Sequence, residues 1–139
     1  MMISLIIGNK GSGKTKHLIA LVNDAIQNSK GNVVCIEKET KLTHDVNYRA
    51  RLVATDHFGI KGYDAFFGFL CGICAGDYDI TDIFVDATLK IGGSDYEELA
   101  AFLKKVSDLS KITENDFTFT ISTDEGELPA KIFDYCKKI

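Results

Sequence analysis

Proline occurs once in the 139 residues, at Pro129, and the 12 glycines are not gathered with serine into any linker-like stretch, which excludes a low-complexity segment. No internal repeat and no block of like charge interrupts the chain, so a single domain spanning 1–139 is expected. Arginine is also scarce, limited to Arg49 and Arg51. The formal charge of −4 and the pI near 5.3 provide no basic field for phosphate backbones, so non-specific nucleic-acid binding is not expected.

Long apolar runs are missing too. The longest nearly uncharged stretch, Ala65 to Gly76, falls well short of the roughly 20 residues that a membrane-spanning helix needs, and it reads as a buried helix. Met1 to Ile7 carries no basic stretch and meets the polar Asn9 and Lys10 early, so no signal peptide is expected and the protein should stay in the cytoplasm. Four cysteines, Cys35, Cys71, Cys74 and Cys136, are too few for a disulfide scaffold; they fit a reducing compartment and small core positions. Cys71 and Cys74 have the two-residue spacing of a zinc or redox pair, but they lie in the apolar helical stretch and no metal is expected there. His17, His44 and His57 are scattered without metal or triad spacing.

What remains is a chain 45% hydrophobic and 26% charged, enough for one packed core, in which strand and helix patterns alternate. Ile3 to Ile7 reads as a strand buried on both faces. From Lys14 to Lys30, Leu18, Leu21, Val22, Ala25 and Ile26 recur at helical spacing, with Gly31 and Asn32 as a stop. Val33 to Ile36 is a second buried strand, and Arg51 to Ala54 a third after the polar connection from Glu37 to Asn47. Gly68, Gly72 and Gly76 recur every four residues, a side-chain-free stripe that predicts close backbone packing. Ile83 to Val85 is a strand ending at Asp86, and Ser94 with Glu97 has the spacing of a capping box before the helix carrying Leu99, Phe102, Leu103 and Val106. Phe117, Phe119 and Ile121 alternate with Thr118, Thr120 and Ser122, as in a strand with one polar face; Pro129 should then open a C-terminal helix that ends the sheet. The pattern predicts an α/β three-layer sandwich of about five mainly parallel strands with helices on both faces and right-handed crossovers. Ligands of such sheets bind at the strands' carboxyl ends.

Gly8-Asn9-Lys10-Gly11-Ser12-Gly13-Lys14-Thr15 matches every fixed position of the phosphate-loop pattern and lies between a predicted strand and a predicted helix. The setting matters because successive backbone N–H groups must converge on phosphate oxygens, and glycine allows the turns and the close approach. The helix start adds free N–H groups and a positive dipole end; the Lys14 ammonium suits the β and γ phosphates and the Thr15 hydroxyl suits Mg²⁺. The bland alternative, a glycine-rich turn, accounts for none of these coincidences.

The chain here resembles the P-loop NTPase superfamily, over residues 3 to 37 by motif and beyond that by architecture. The resemblance implies binding of a nucleoside triphosphate, ATP with Mg²⁺, on residues 8 to 15. Lys10 is third in the motif, so the deviant loop of the partition-ATPase group is not matched. Leu5 to Glu37 also looks like the start of a type II thymidine kinase, yet no glutamate follows Asp86 and no cysteine-rich lasso is visible. Short bacterial proteins labelled as pilus-retraction ATPases look similar as well, without the N-terminal domain and histidine motif of secretion ATPases.

Asp86, after Ile83-Phe84-Val85, resembles the Walker B aspartate that orients magnesium's ligands. Its rival is Asp56 in Asp56-His57-Phe58-Gly59, the Asp-x-x-Gly of GTPases; no Asn-Lys-x-Asp follows, which favours Asp86 and ATP. Either aspartate can also be an ordinary strand-end cap. Many relatives place a water-activating glutamate beside the Walker B aspartate, but Ala87 and Thr88 stand there. Glu37, at the end of the second strand, is the substitute candidate for catalysis alongside Lys14, set against an ordinary solvated strand end. Ser122 or Thr123 resembles the polar sensor position of RecA-like ATPases. Arg49 and Arg51, two apart, would share a strand face and suit a phosphate grip or a finger in trans, against a plain surface strand.

Three functional classes follow: a weak Mg-dependent ATPase or nucleotide switch acting with a protein partner or second subunit, a small nucleoside or metabolite kinase, and a non-catalytic module that keeps nucleotide for stability and presents Asp124, Glu125 and Glu127.

Overall fold

A computed structural model of the chain describes residues 2–43 and 45–139; Met1 and His44 lie outside the described residues. The chain is α/β, and its described residues form one sheet of six strands paired in parallel: β1 (Ile3–Gly8), β2 (Asn32–Glu37), β3 (Arg51–Ala54), β4 (Ile80–Asp86), β5 (Asp116–Ser122) and β6 (Lys137–Lys138). Their spatial order is β3-β2-β4-β5-β1-β6, so β5 separates the strand that leads into the glycine-rich loop from the strand that ends at Asp86. Gly8 pairs with Ser122 and Glu37 with Asp86, which brings four strand ends to one edge of the sheet.

Period-two alternation divides the apolar residues between two cores. Ile3, Leu5, Val34, Ile36, Ile83, Val85, Phe117, Phe119 and Ile121 face α2 (Tyr63–Gly76) and α4 (Tyr96–Thr113). Ile6, Val33, Cys35 and Phe84 face α1 (Lys14–Asn28) with its buried Leu18 and Val22. The three-layer sandwich expected from the sequence is therefore present. A short α3 (Thr88–Gly92) follows β4 directly. Phe102 of α4 organises the larger core, with ring centroids 5.0 Å from Tyr63, 5.2 Å from Phe66 and 5.8 Å from Phe119. No helix among the described residues is long and apolar enough to cross a membrane.

Several local expectations are corrected. Pro129 opens only a 3-10 turn over Ala130–Asp134, with Ile132 N–H bonded to the Pro129 carbonyl. The chain then lies along the free edge of β1 as β6, and Ile139 N–H donates to the Leu5 carbonyl, so backbone groups that an edge strand leaves unpaired capture the terminus. β5 is buried on both faces: Thr118 and Thr120 are buried as well, because that side of an interior strand lies in the layer beneath α1. The cap of α4 is Asp95 rather than Ser94; its carboxylate accepts from the N–H groups of Glu97 and Glu98, a stronger acceptor one residue nearer the first turn. α2 is buried on one stripe only, through Tyr63, Phe66, Leu70 and Cys74. Its glycine stripe is not used for packing: a Cβ at Gly68, Gly72 or Gly76 would meet no atom within 4 Å.

Candidate functional site

The loop after β1 is shaped by its glycines. Gly11 and Gly13 have φ of 85° and 89°, in the left-handed region that side chains disfavour, and a Cβ on Gly8 would stand 2.5 Å from the Ser12 hydroxyl. Ser12 N–H closes the turn onto the Asn9 carbonyl at 3.1 Å. α1 then starts at Lys14 with no side-chain cap and no acid in its first turn, so its positive end is left uncompensated beside the loop. Lys14 is nearly buried and its ammonium donates to the Asn9 carbonyl at 3.0 Å. Two ties hold the loop to the end of β5: Asn9 donates its side-chain amide to Asp124 at 2.8 Å, and Thr123 N–H donates to the Gly8 carbonyl.

Asp86 joins this loop from the far side of β5. The Thr15 hydroxyl lies 3.1 Å from Asp86 Oδ2 and 3.3 Å from Oδ1, although the residues are 71 positions apart. The buried Thr120 hydroxyl donates to Oδ1 at 2.6 Å. Two clefts meet here and share Thr15, Asp86, Ala87 and Lys90. One, of about 500 Å³, runs along Lys10, Gly11, Gly13, Lys14 and Ser122. The other, of about 490 Å³, runs along Glu37, Lys38, Glu39 and Lys41.

Glu37 is not a solvated strand end. It is buried, and its two carboxylate oxygens accept from the N–H groups of Lys41 at 2.8 Å and Leu42 at 3.4 Å. The turn that follows β2 therefore fixes this acid next to Asp86. Both carboxylates reach the Cys35 thiol beneath them electrostatically; burial first, then the charges of Glu37 and Asp86, push that thiol up to about 12.

Other expected residues fall elsewhere. Asp56 sits in the 3-10 turn after β3, beyond β2 in the strand order, and pairs with the Lys38 ammonium at 2.9 Å. That hydrogen bond is the main reason the Lys38 ammonium is held above its ordinary pKa. Ser122 is exposed in the loop cleft, whereas Thr123 is buried and shares a 2.8 Å hydroxyl–hydroxyl bond with Tyr96. Arg49 precedes β3 and Arg51 begins it, so they do not share a strand face as expected; both line a hollow at the amino end of β3, away from the loop. Thr120 and Lys90 were not legible in the sequence. Thr120 belongs to an ordinary alternating strand, and its role depends on β5 lying between β1 and β4; no spacing rule marks Lys90.

Magnesium takes hard oxygen ligands and is held through one or two carboxylates together with substrate phosphates and waters. Thr15 and Asp86 are a donor set of that kind. Among the described residues there is no group of three or more His, Cys, Asp or Glu side chains placed for an all-protein metal cage. Neither a family model nor a curated protein sequence matches the chain.

Proposed function

We propose that the protein binds ATP with Mg²⁺ on residues 8 to 15 and acts as a weak Mg-dependent ATPase or nucleotide switch that works with a protein partner. The observation that carries this reading is the contact of Thr15 with Asp86, which joins the last residue of the loop to a strand-end carboxylate. Loop N–H groups and the start of α1 would hold the β and γ phosphates, with Lys14 leaving the Asn9 carbonyl to meet them. Thr15 and Asp86 would hold Mg²⁺, which when bound neutralises charge developing on the transferred phosphoryl group. Glu37, held by two backbone donors in the adjoining cleft, would be the group that accepts a proton from an attacking water.

A partner enters the reading through the arginines. Neither Arg49 nor Arg51 lines the loop cleft, so a guanidinium at the γ-phosphate would have to come from outside this chain's own site. A second reading, phosphoryl transfer to a small acceptor, is favoured by the cleft that holds Glu37 together with Lys38, Lys41 and Lys90.

The test is thermal unfolding with ATP, ADP and GTP, each with and without Mg²⁺. A ligand that binds only the folded chain raises its melting temperature by mass action. Mg-ATP should give the largest rise, and equal or negligible shifts with every nucleotide would overturn the reading. Free phosphate release per ATP consumed then separates hydrolysis from transfer to an acceptor.

A further inference from the structure

Asp86 ends β4 and Thr15 stands in the first turn of α1, which packs across β1, β5 and β4, so the carboxylate meets the hydroxyl directly. A third residue holds the carboxylate from the side, on β5, which lies between β1 and β4. Thr120 is fully buried on β5, and its hydroxyl donates to Asp86 Oδ1 at 2.6 Å, a short bond to a charged acceptor. With Oδ1 engaged there, Oδ2 is the oxygen nearer Thr15, at 3.1 Å against 3.3 Å.

We propose that Thr120 is a positioning residue of the magnesium site, its buried hydroxyl fixing the rotation of the Asp86 carboxylate so that the other oxygen is turned toward Thr15 and the metal position. This rests on the nucleotide reading above and adds a residue to it. A carboxylate joined to the chain through one rotatable methylene has broad torsional freedom, and a single hydrogen bond from a rigid interior strand removes most of it. Removing such a partner of a metal ligand typically weakens the metal by about 10- to 100-fold. Thr120 is buried and lines neither cleft, so its effect would pass through Asp86 alone.

The experiment measures binding of a fluorescent ATP analogue to the full chain across a magnesium titration and in chelator, with melting temperatures recorded in parallel. Thr120→Val keeps the shape and removes the hydroxyl. Thr120→Ser and Thr120→Ala both lose the methyl and differ only in the hydroxyl, and they decide the question if the valine variant does not fold. Valine and alanine should raise the half-saturating magnesium concentration about 10- to 100-fold while chelator-insensitive binding stays as in the natural chain, and serine should behave as threonine does. An unchanged magnesium requirement in valine and alanine, or a serine variant as impaired as alanine, overturns the role of Thr120 while the nucleotide reading stands. Loss of metal-free binding in step with loss of stability assigns Thr120 a purely structural role and also overturns it. A natural chain that binds no analogue at any magnesium concentration overturns both readings together.

Discussion

Glu37 and Asp86 stand opposite each other at the carboxyl ends of two neighbouring parallel strands, and both line the cleft that reaches Thr15. Their partners divide their chemistry. Glu37 is buried and takes backbone N–H donors from the turn that follows it, whereas Asp86 is half-buried and takes hydroxyls from the loop helix and from β5. One acid is thus tied to its own strand's exit turn, and the other ties three elements together.

If Glu37 activates water, Glu37→Gln keeps the shape of the side chain and removes the base, so steady-state phosphate release should fall by about 10²- to 10⁴-fold with ATP affinity little changed. The natural chain without a partner should itself turn over far below the typical enzyme value of about 10 per second. Rates in the glutamine variant equal to the natural ones would remove Glu37 from the mechanism.

Lys14→Ala should weaken ATP by about 10- to 100-fold, the scale of a lost hydrogen bond to a charged group, and should leave the fold intact. In the free chain the ammonium's partner is the Asn9 carbonyl of its own loop, not a core group. Isothermal titration of both proteins checks it; equal affinities would dissociate the loop from the ligand.

Asp86→Asn should raise the magnesium needed for ATP binding much more than Asp56→Asn, because Asp86 meets Thr15 while Asp56 is occupied by Lys38 on the other side of β2. The reverse order in a magnesium titration would move the metal carboxylate to the turn after β3.

Alkaline pH should destabilise the fold through its buried thiols. Burial, then the charges of Glu37 and Asp86, raises Cys35 from 9.0 to about 12, and burial alone raises Cys136 to about 12. The unfolded chain therefore releases these protons before the folded chain does, and stability is present below about 9 and falls as pH rises toward 12. Each such thiol steepens the fall by up to ~1.4 kcal/mol per pH unit. Urea unfolding of Cys35→Ala should show a shallower decline above pH 9 than the natural chain, and parallel declines would contradict the burial argument.

Phe102→Ala should cost about 3–5 kcal/mol, since one ring touches Tyr63, Phe66 and Phe119 and so joins α2, α4 and β5. Urea midpoints measure it; a loss under ~1 kcal/mol would mean that the core refills the cavity.

Five strands and the long helices were legible in the sequence because four strands show as short apolar runs and β5 as an apolar–polar alternation, while the helices carry a 3.6-residue stripe. The sixth strand was not, because Lys137 and Lys138 carry no strand pattern and are held by the backbone edge of β1. The glycine stripe of α2 misled for a related reason: spacing shows where side chains are missing and not which face meets a neighbour.

The sequence by itself determined the α/β architecture and the loop from Gly8 to Thr15, since backbone conformation there depends on glycine at fixed positions and periodicity depends only on neighbours along the chain. It also marked Asp86 as a strand-end acid, without ranking it by contact over Asp56. Only the tertiary structure decided which acid meets Thr15, that Glu37 is buried rather than solvated, and that Thr120 bonds to Asp86. The first and last of these follow from strand order, which is set by pairing between segments at opposite ends of the chain, such as β1 with β5 and β6, for which no local pattern carries a signal; the burial of Glu37 depends on how the turn after β2 folds back onto it.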